Sequence, residues 1–349
     1  LKLSQGSPSL PARQPQPTRS RPERAASASA MGQLFSWLLT GFSGGQTEEA
    51  YRPLRKHPAL FEPHIPEEWL APELVKLVQA FRDAAEPGPR GADALGLAPP
   101  GTLREEVWEV YSFPCFSNLF MKMFKEEIRN FYKSGIPTRR PNSMNNYGVI
   151  VNEIGMRPMI TAFQQQYIWP LARRLFPEEG ERFDDHHSFI VRYQASEDLG
   201  LDMHTDDSDV TFNVCLGDEF TGATLTFCGQ IGTPAHRQLT HTYSHELGRA
   251  VIHLGSRRHG ADDIASGRRL NLIVWSHNAR WRLDHPSRRK DPTYHEEQGP
   301  PNQQCLSYTH DRDYRAYKRL PLAAQKRQLR PWCPPPGKEY TGWANLKEL

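Results

Sequence analysis

Paired cysteines, long apolar runs and net charge are all scarce or missing in this sequence. The five cysteines among 349 residues are odd in number and never spaced as CxxC. This pattern disfavours a disulfide scaffold and favours a reducing intracellular compartment, although the compartment itself stays undetermined. No run of 18 or more apolar residues exists, which excludes a membrane-spanning helix. A formal net charge of +3 offers no concentrated basic face for nucleic acid.

The two ends of the chain differ in composition from its middle. Residues 1–48 are predicted to be a disordered leader, because Ser, Pro, Ala and Arg dominate its first 30 residues and Glu23 is their only acid. Such a stretch fits either an organelle transit peptide or an uncleaved or non-native leader. Residues 281–349 are polar and rich in proline, and we expect them to wrap the surface without a core of their own.

A short motif within the leader bears on membrane association. From Met31 the sequence reads MGQLFS, which matches the N-myristoylation pattern if Met31 is the true start. The alternative is a short apolar turn from Leu34 to Phe42. Membrane association would therefore depend on an N-terminal lipid.

Residues 49–103 are predicted to be a helical extension that ends in a linker. Pro72 opens a helix there, and residues 86–101 form the linker by composition. The apolar stripe of that helix consists of Leu74, Leu77, Val78 and Phe81.

Three more elements are predicted before the β-rich region. The run from Val107 to Phe113 alternates as a strand, and Ser117 caps a helix. Residues 157–176 form another helix, which we expect to break at Pro170. The helix after Ser117 has Phe120, Phe124, Ile128 and Phe131 on one face.

From Ser188 onward the apolar pattern changes from a helical period to alternation. Five runs rich in β-branched and aromatic residues follow one another: SFIVRY, DVTFNVCL, ATLTFCG, RAVIHLG and RRLNLIVW. Because no helix intervenes, they predict an antiparallel sheet folded as a sandwich or barrel.

An HxD motif inside this region predicts a metal site. His204 and Asp206 are two residues apart, and in extended backbone such residues point to the same side. His259, fifty-five residues later, supplies a third ligand, and His253 is its rival. Two imidazoles and one carboxylate leave coordination positions open, as in the facial triad of non-haem Fe(II) oxygenases. A structural zinc site would be closed and would usually contain cysteine.

Arg269 predicts an anionic ligand near the metal. It lies ten residues after His259, and alternation puts it opposite to the leucines and valine of the same strand. A charge on the inner side of a strand is costly unless it is paired, and a dicarboxylate supplies that pair. The alternative is an outward, solvated arginine, which we expect of Arg268.

The remaining histidines of this region suggest no second metal site. His236, His241 and His245 lie in a predicted loop, and we interpret them as solvated side chains rather than as a metal patch.

Four segments of the β region carry a family resemblance. YQASEDLGLDMHTD, TFNVCLG, GATLTF and RRHGADDIASGRRLNLIVW together resemble the core of the Fe(II)- and 2-oxoglutarate-dependent dioxygenases, with the prolyl and procollagen-lysyl hydroxylases as the nearest subgroup. The resemblance implies a mainly β fold with α elements: a double-stranded β-helix (jelly roll) core over 184–280, within a dioxygenase domain over 104–280. Helices from the N-terminal half would buttress the core. GATLTF has Ala223 where the family has a second glycine, a mild departure.

The same resemblance implies roles for individual residues. Tyr193 and Asn213 would contact the co-substrate, and Arg269 would hold its far carboxylate. His259 becomes the distal ligand, because only it keeps the ten-residue interval to that arginine, and His253 becomes a supporting or core histidine. Together with His204 and Asp206, these assignments complete the predicted site.

The text RPNSMNNYGVIVNEIG over 140–155 narrows the resemblance to the 2-oxoglutarate and iron-dependent oxygenase domain-containing proteins, over roughly 104–280. RPNSMNNYG has no chemistry that the residues alone reveal. We interpret it as an ordered loop that leads into a strand, with a substrate-contact loop as the alternative.

The family resemblance implies a reaction and its cofactors. Fe(II) and O2 would couple the decarboxylation of 2-oxoglutarate to succinate and CO2 with hydroxylation of an unactivated C–H bond, with ascorbate as a helper reductant. The implied substrate is a prolyl or lysyl residue of a protein. A nucleic-acid demethylase is disfavoured, since Trp275 stands where those relatives have a second arginine. The competing hypotheses are a catalytically silent β-helix binding module and a closed zinc-binding sheet protein.

Overall fold

Twelve strands lie within the part of the chain that the computed structural model describes, namely residues 44–88, 91–230, 239–285 and Cys305. The strands are β1 (Arg104–Val107), β2 (Val110–Pro114), β3 (Gly148–Ile150), β4 (Asp185–Gln194), β5 (Leu201–His204), β6 (Val210–Cys215), β7 (Phe220–Gly222), β8 (Leu225–Gln230), β9 (His241–Tyr243), β10 (Arg249–Leu254), β11 (Arg257–Ala261) and β12 (Ile264–His277).

These strands form two antiparallel sheets. The larger has the order β1-β2-β10-β6-β12-β4-β3, with β7 also paired to β12, and the smaller has the order β5-β11-β8-β9. Apolar side chains from both sheets meet in one buried cluster, for example Phe189 of β4 and Phe227 of β8. The architecture is the jelly-roll core that the sequence resemblance implies, and the site lies between the two sheets.

Helices cover the other face of the larger sheet. They are α1 (Gly44–Tyr51), α2 (Pro72–Asp83), α3 (Ala94–Leu97), α4 (Asn118–Lys133), α5 (Arg157–Phe163) and α6 (Trp169–Leu175), with short 3-10 turns at Arg52–Leu54, Pro58–Phe61 and Glu67–Trp69. A last helix, α7 (Ala279–Asp284), follows β12 and buries none of its residues. Phe163 of α5 meets Phe212 of β6 edge-on, with ring centroids 5.4 Å apart. Burying each such ring stabilises the fold by roughly 1.5–3 kcal/mol.

Alternation along β12 separates this helical layer from the site. Leu270, Leu272 and Val274 are buried in the cluster that the sheet shares with the helices. Arg269 and Ile273 line the cavity between the sheets. The prediction that Arg269 faces the opposite side of β12 from the leucines and valine is therefore confirmed.

The predicted helix starts are confirmed as well. The Oγ of Ser117 accepts a hydrogen bond from the backbone N–H of Phe120 at 3.4 Å, which caps α4. Pro72 is the first residue of α2, where a missing N–H leaves no hydrogen bond unmade. No helix among the described residues is both long and apolar enough to cross a bilayer.

Two predicted elements differ in detail. The run 107–113 is part of a hairpin rather than one strand, because the chain turns at Glu109, whose φ is +59°. The helix predicted over 157–176 does not break at Pro170. It widens into a π-helical turn over Gln164–Ile168, so that the proline falls in the first turn of the next segment, where it is tolerated.

The cysteine pattern and the chain ends also depart from expectation. Cys228 of β8 and Cys305 form a disulfide across 77 residues, a contact that spacing alone could not reveal. The carbonyl of Cys305 accepts a hydrogen bond from Arg258 at 2.7 Å, which joins the predicted tail to β11. Helix α1 begins at Gly44, inside the predicted leader. The rest of that leader, with its lipidation motif, and the rest of the tail beyond 285 lie outside the described residues.

His186 of β4 is a buried neutral imidazole between two hydroxyl groups. It is 3% exposed, with its Nδ1 at 2.7 Å from the Ser188 oxygen and its Nε2 at 2.9 Å from the Thr161 oxygen. Burial, helped by the charge of Arg157, lowers the pKa of His186 to about 4.

This depressed pKa predicts a pH dependence of stability. The unfolded chain binds a proton at His186 below a pKa of about 6.5 and the folded chain does not, so the free energy of unfolding falls as the pH drops from about 6.5 to about 4. We expect His186→Gln to remove this contribution. Between about pH 6 and 4.5 the wild type should lose about 1.4 kcal/mol per pH unit relative to the variant in urea unfolding. Parallel pH profiles for the two proteins would contradict this account.

Candidate active site

Neighbouring strands of the smaller sheet bring the predicted metal ligands together. His204 ends β5 and is the register partner of His259 in β11. Asp206 follows two residues after His204, and its backbone N–H donates to the carbonyl of Gly255 at 2.9 Å. One ligand atom from each of the three side chains lies within 4.8 Å of the others, which is close enough for a single metal ion.

Backbone contacts fix the orientation of both imidazoles. The Nδ1 of His204 lies 2.7 Å from the carbonyl of Asp202, and the Nδ1 of His259 lies 3.0 Å from the carbonyl of Arg257. A carbonyl only accepts, so each Nδ1 carries a hydrogen, and in the neutral ring Nε2 is then the nitrogen with a lone pair. The two Nε2 atoms lie 3.4 and 3.6 Å from the carboxylate oxygens of Asp206. Both imidazoles are therefore preset as metal ligands.

The charge states of the triad also suit a metal. Although burial raises it, the pKa of Asp206 lies well below its usual range because of the adjacent His259 and His204. Burial lowers the pKa of His259 to about 3. Thr211 of β6, which the sequence did not single out, donates from Oγ1 to Asp206 at 2.6 Å. The site therefore presents one carboxylate and a neutral imidazole at neutral pH.

His253 lies beside the triad but outside it. This fully buried residue of β10 has its ring centroid 4.7 Å from that of His259, and its Nδ1 lies 2.8 Å from the carbonyl of Leu254. Its Nε2 is buried and has no hydrogen-bond partner in the described part of the chain. The geometry agrees with the interpretation of His253 as a supporting residue.

Arg269 is a buried cation on the opposite wall of the same cavity. It is 1% exposed, and its guanidinium carbon lies 4.5 Å from the ring centroid of Tyr193. One Nη donates to the carbonyl of Ala223. Within the described part of the chain, Nε has no hydrogen-bond partner and no carboxylate forms an ion pair with the guanidinium. Arg268, of opposite parity, instead pairs with Asp218 at the surface. Burial lowers the pKa of Arg269, a sign that its charge is poorly compensated by the protein alone.

All six predicted site residues line one narrow cavity between the sheets. They are Tyr193, His204, Asp206, Asn213, His259 and Arg269. The Oδ1 of Asn213 accepts from Asn271 at 2.6 Å, so the amide nitrogen lies on the other side of this side chain. Asn142 and Asn145 of the RPNSMNNYG loop line the cavity too. The sequence analysis left a substrate-contact loop as the alternative interpretation, but it could not identify these two residues, because the loop lies about fifty residues before Tyr193.

His245 is a further polar residue near this wall, and its interpretation as a solvated loop histidine is wrong. Both of its ring nitrogens are buried without a hydrogen-bond partner in the described chain, and its ring meets Tyr243 edge-on at 5.4 Å. Burial and the charge of Arg269 lower the pKa of His245 well below its usual value. The segment folds inward because the N–H of Gly248 donates to the carbonyl of Cys215 at 2.8 Å.

Comparison with known proteins supports the narrower resemblance. A family model described as OGFOD2-like domain matches residues 48–181, a span that ends before the metal triad. The 2-oxoglutarate and iron-dependent oxygenase domain-containing protein 2 of Mus musculus is 36% identical over 218 residues, 62% of each chain. The protein of the same description from Xenopus tropicalis is 41% identical over 168 residues, 48% of each chain. The chain thus spans less than two thirds of the length of these relatives.

The chain also matches a solved structure. It is a prolyl hydroxylase from Trichoplax adhaerens in complex with a hypoxia inducible factor oxygen degradation domain peptide fragment. The match has 12% identity and a TM-score of 0.43, and it covers 62% of this chain and 98% of that one.

The two neighbouring histidines predict different effects on metal binding. His259→Ala should abolish Mn(II) binding, because it removes one of three ligands. His253→Phe keeps a ring in the same space, and we expect it to weaken binding by about 10- to 100-fold without abolishing it, since it only supports a ligand. Isothermal titration of Mn(II) into both variants tests the assignment. Loss of the metal with His253→Phe, but not with His259→Ala, would show that His253 rather than His259 is the ligand.

Proposed function

We propose that this chain, which is similar to the 2-oxoglutarate and iron-dependent oxygenase domain-containing proteins, is an Fe(II)- and 2-oxoglutarate-dependent dioxygenase that hydroxylates an unactivated C–H bond in a protein substrate. Succinate and CO2 would be the co-products, and ascorbate the helper reductant. The observation that carries the proposal is that one cavity holds both a three-ligand metal cluster and a buried arginine without a carboxylate partner among the described residues.

The donor set fits Fe(II). Two imidazole nitrogens and one carboxylate on one side of an ion leave positions open for a chelating co-substrate and O2. No thiol joins the cluster among the described residues, which argues against a closed zinc site. When bound, iron would supply the redox centre at which O2 reacts. His204, Asp206 and His259 would hold it, and Thr211 would keep the carboxylate oriented through its hydroxyl.

The opposite wall fits 2-oxoglutarate. A buried guanidinium is strongly unfavourable without an anion, and its planar fork matches a carboxylate. Arg269 would hold the far carboxylate, with Tyr193 and Asn213 as further contacts. The other end of the same ligand would reach the metal. A ligand with an anionic tail and a chelating head would thus satisfy both ends of the cavity.

A groove beside the metal cavity bears on the substrate. It has a volume of about 820 Å³, and Leu201 and Ala261 line both the groove and the cavity. The described residues that line it include no lysine or arginine but five carboxylates: Glu197, Asp198, Asp202, Asp262 and Asp263. Glu197 forms an ion pair with Arg192, but the lining as a whole remains acidic, which attracts cations and disfavours nucleic-acid phosphates. Of the two residues that the resemblance implies, the groove favours lysine over proline.

The co-substrate assignment predicts a contrast between adjacent arginines. Arg269→Leu should leave Mn(II) binding nearly intact and weaken 2-oxoglutarate binding at least tenfold, since a charge-assisted contact contributes roughly 1.5–3 kcal/mol. Arg268→Leu, on the outer face, is the matched control and should change 2-oxoglutarate binding little. Titration of 2-oxoglutarate into the Mn(II)-loaded proteins measures both. Equal effects of the two substitutions would contradict the assignment of Arg269 as the residue that binds 2-oxoglutarate.

The wild-type chain should also release succinate from 2-oxoglutarate when Fe(II), ascorbate and a peptide are present. Release that never depends on added peptide or Fe(II), despite tight co-substrate binding, would favour a catalytically silent binding module instead.

The acidic groove predicts a preference among peptides. Two peptides that differ only in a central lysine or proline should differ in hydroxylation, with the lysyl peptide preferred. Asp263→Asn should raise the KM of that peptide about two- to fivefold and leave kcat unchanged, because one exposed charge contributes about 0.2–1 kcal/mol. Glu73→Gln, on α2, is the matched control. Mass spectrometry of the peptides measures the outcome, and a proline preference that is insensitive to salt would count against the groove.

A further inference from the structure

The loop 140–147 contains a chain of side-chain amides whose orientations the backbone determines. The Oδ1 of Asn142 accepts the N–H groups of Met144 and Asn145 at 2.9 and 2.7 Å. Because only an oxygen can accept these hydrogens, the Nδ2 of Asn142 must lie on the other side of its amide. That Nδ2 donates to the Oδ1 of Asn145 at 3.0 Å. The orientation of the second amide therefore follows from that of the first.

The orientation of the Asn145 amide determines which of its atoms contacts Tyr193 in the cavity. Its Oδ1 is used by Asn142, so its Nδ2 faces the hydroxyl oxygen of Tyr193, at 3.1 Å. The residue is 1% exposed, and Arg140 donates from Nε to its backbone carbonyl at 3.1 Å, so the main chain that carries this amide is held in place. Tyr193 Oη is thus an acceptor in this contact, and its own hydrogen must point elsewhere.

The hydroxyl hydrogen of Tyr193 is available to a ligand of the cavity. Tyr193 lines the cavity with Arg269, whose guanidinium stacks on its ring. Burial raises the pKa of Tyr193, so the phenol stays protonated at neutral pH. A neutral hydroxyl beside a buried cation is a suitable donor to a carboxylate.

We propose that Asn145 is a positioning residue that fixes the Tyr193 hydroxyl as a hydrogen-bond donor toward the co-substrate. This inference rests on the proposed function, since it takes 2-oxoglutarate as the ligand of the cavity. It also gives a role to the RPNSMNNYG motif, whose chemistry the sequence alone did not reveal.

A double-mutant cycle on 2-oxoglutarate binding tests this proposal. The dissociation constant is measured by isothermal titration on the Mn(II)-loaded full chain, which binds the co-substrate without turnover. Asn145→Ala and Tyr193→Phe should each weaken binding about three- to tenfold, as expected for one hydrogen bond. Asn145→Ala should have no further effect in the Tyr193→Phe background. Additive losses would mean that Asn145 acts only on loop structure and would overturn the proposal.

A near-isosteric change tests the direction of the hydrogen bond. Asn145→Asp keeps an acceptor for Asn142 and so preserves the loop, but its carboxylate would take the Tyr193 hydrogen. We expect at least a tenfold loss in the wild-type background and a much smaller one with Tyr193→Phe. This pair of variants keeps the test valid if Asn145→Ala fails to fold.

The control for added charge is Gln194→Glu, which makes the same amide-to-acid change at the next residue of β4, whose amide contacts Ser196 at the surface. An equal loss in this control would point to charge alone and would contradict the proposal. If the wild-type Mn(II)-loaded chain binds no 2-oxoglutarate, the proposed function itself fails. If the chain binds 2-oxoglutarate but the losses from Asn145→Ala and Tyr193→Phe are additive, only the proposed role of Asn145 fails.

Discussion

The constraint on which the cavity depends is the buried charge of Arg269. A guanidinium that is 1% exposed has lost most of its hydration, and a tyrosine ring and a backbone carbonyl replace it only in part. Burial lowers the pKa of this group, which is the same cost expressed as proton affinity. The described residues supply no anion for this charge, and this is the basis for the proposal that the cavity receives an anion from outside.

The two ends of the cavity have opposite polarity, and this limits what can bind. Asp206 and two imidazoles converge at the end formed by the smaller sheet, while Arg269 lies on the larger sheet. Alternation along β12 allows this arrangement, since it sends the arginine inward and the leucines outward into the helical core. The helical layer therefore packs against the strand that carries the proposed anion site. β12 therefore contributes side chains both to the buried core and to the cavity.

Local periodicity explains which parts of the molecule could be predicted from the sequence. The inward side of β12 and the shared side of His204 and Asp206 follow from alternation, and the cap at Ser117 follows from local chemistry. β11 was not predicted as a strand, because its sequence RRHGA lacks alternating apolar residues and buries two arginines instead. The contact of Asn145 with Tyr193, the inward fold of the His245 segment and the Cys228–Cys305 disulfide join distant positions. Local sequence patterns carry no signal for such contacts.

A crystal structure of the chain grown with Mn(II) and 2-oxoglutarate is the most direct test of the central claim. We expect anomalous scattering from one metal ion bound by the Nε2 atoms of His204 and His259 and by the carboxylate of Asp206. One 2-oxoglutarate should chelate that ion and extend its far carboxylate to Arg269. A metal held by other residues, or a dicarboxylate bound elsewhere while Arg269 stays without an anion, would contradict the account.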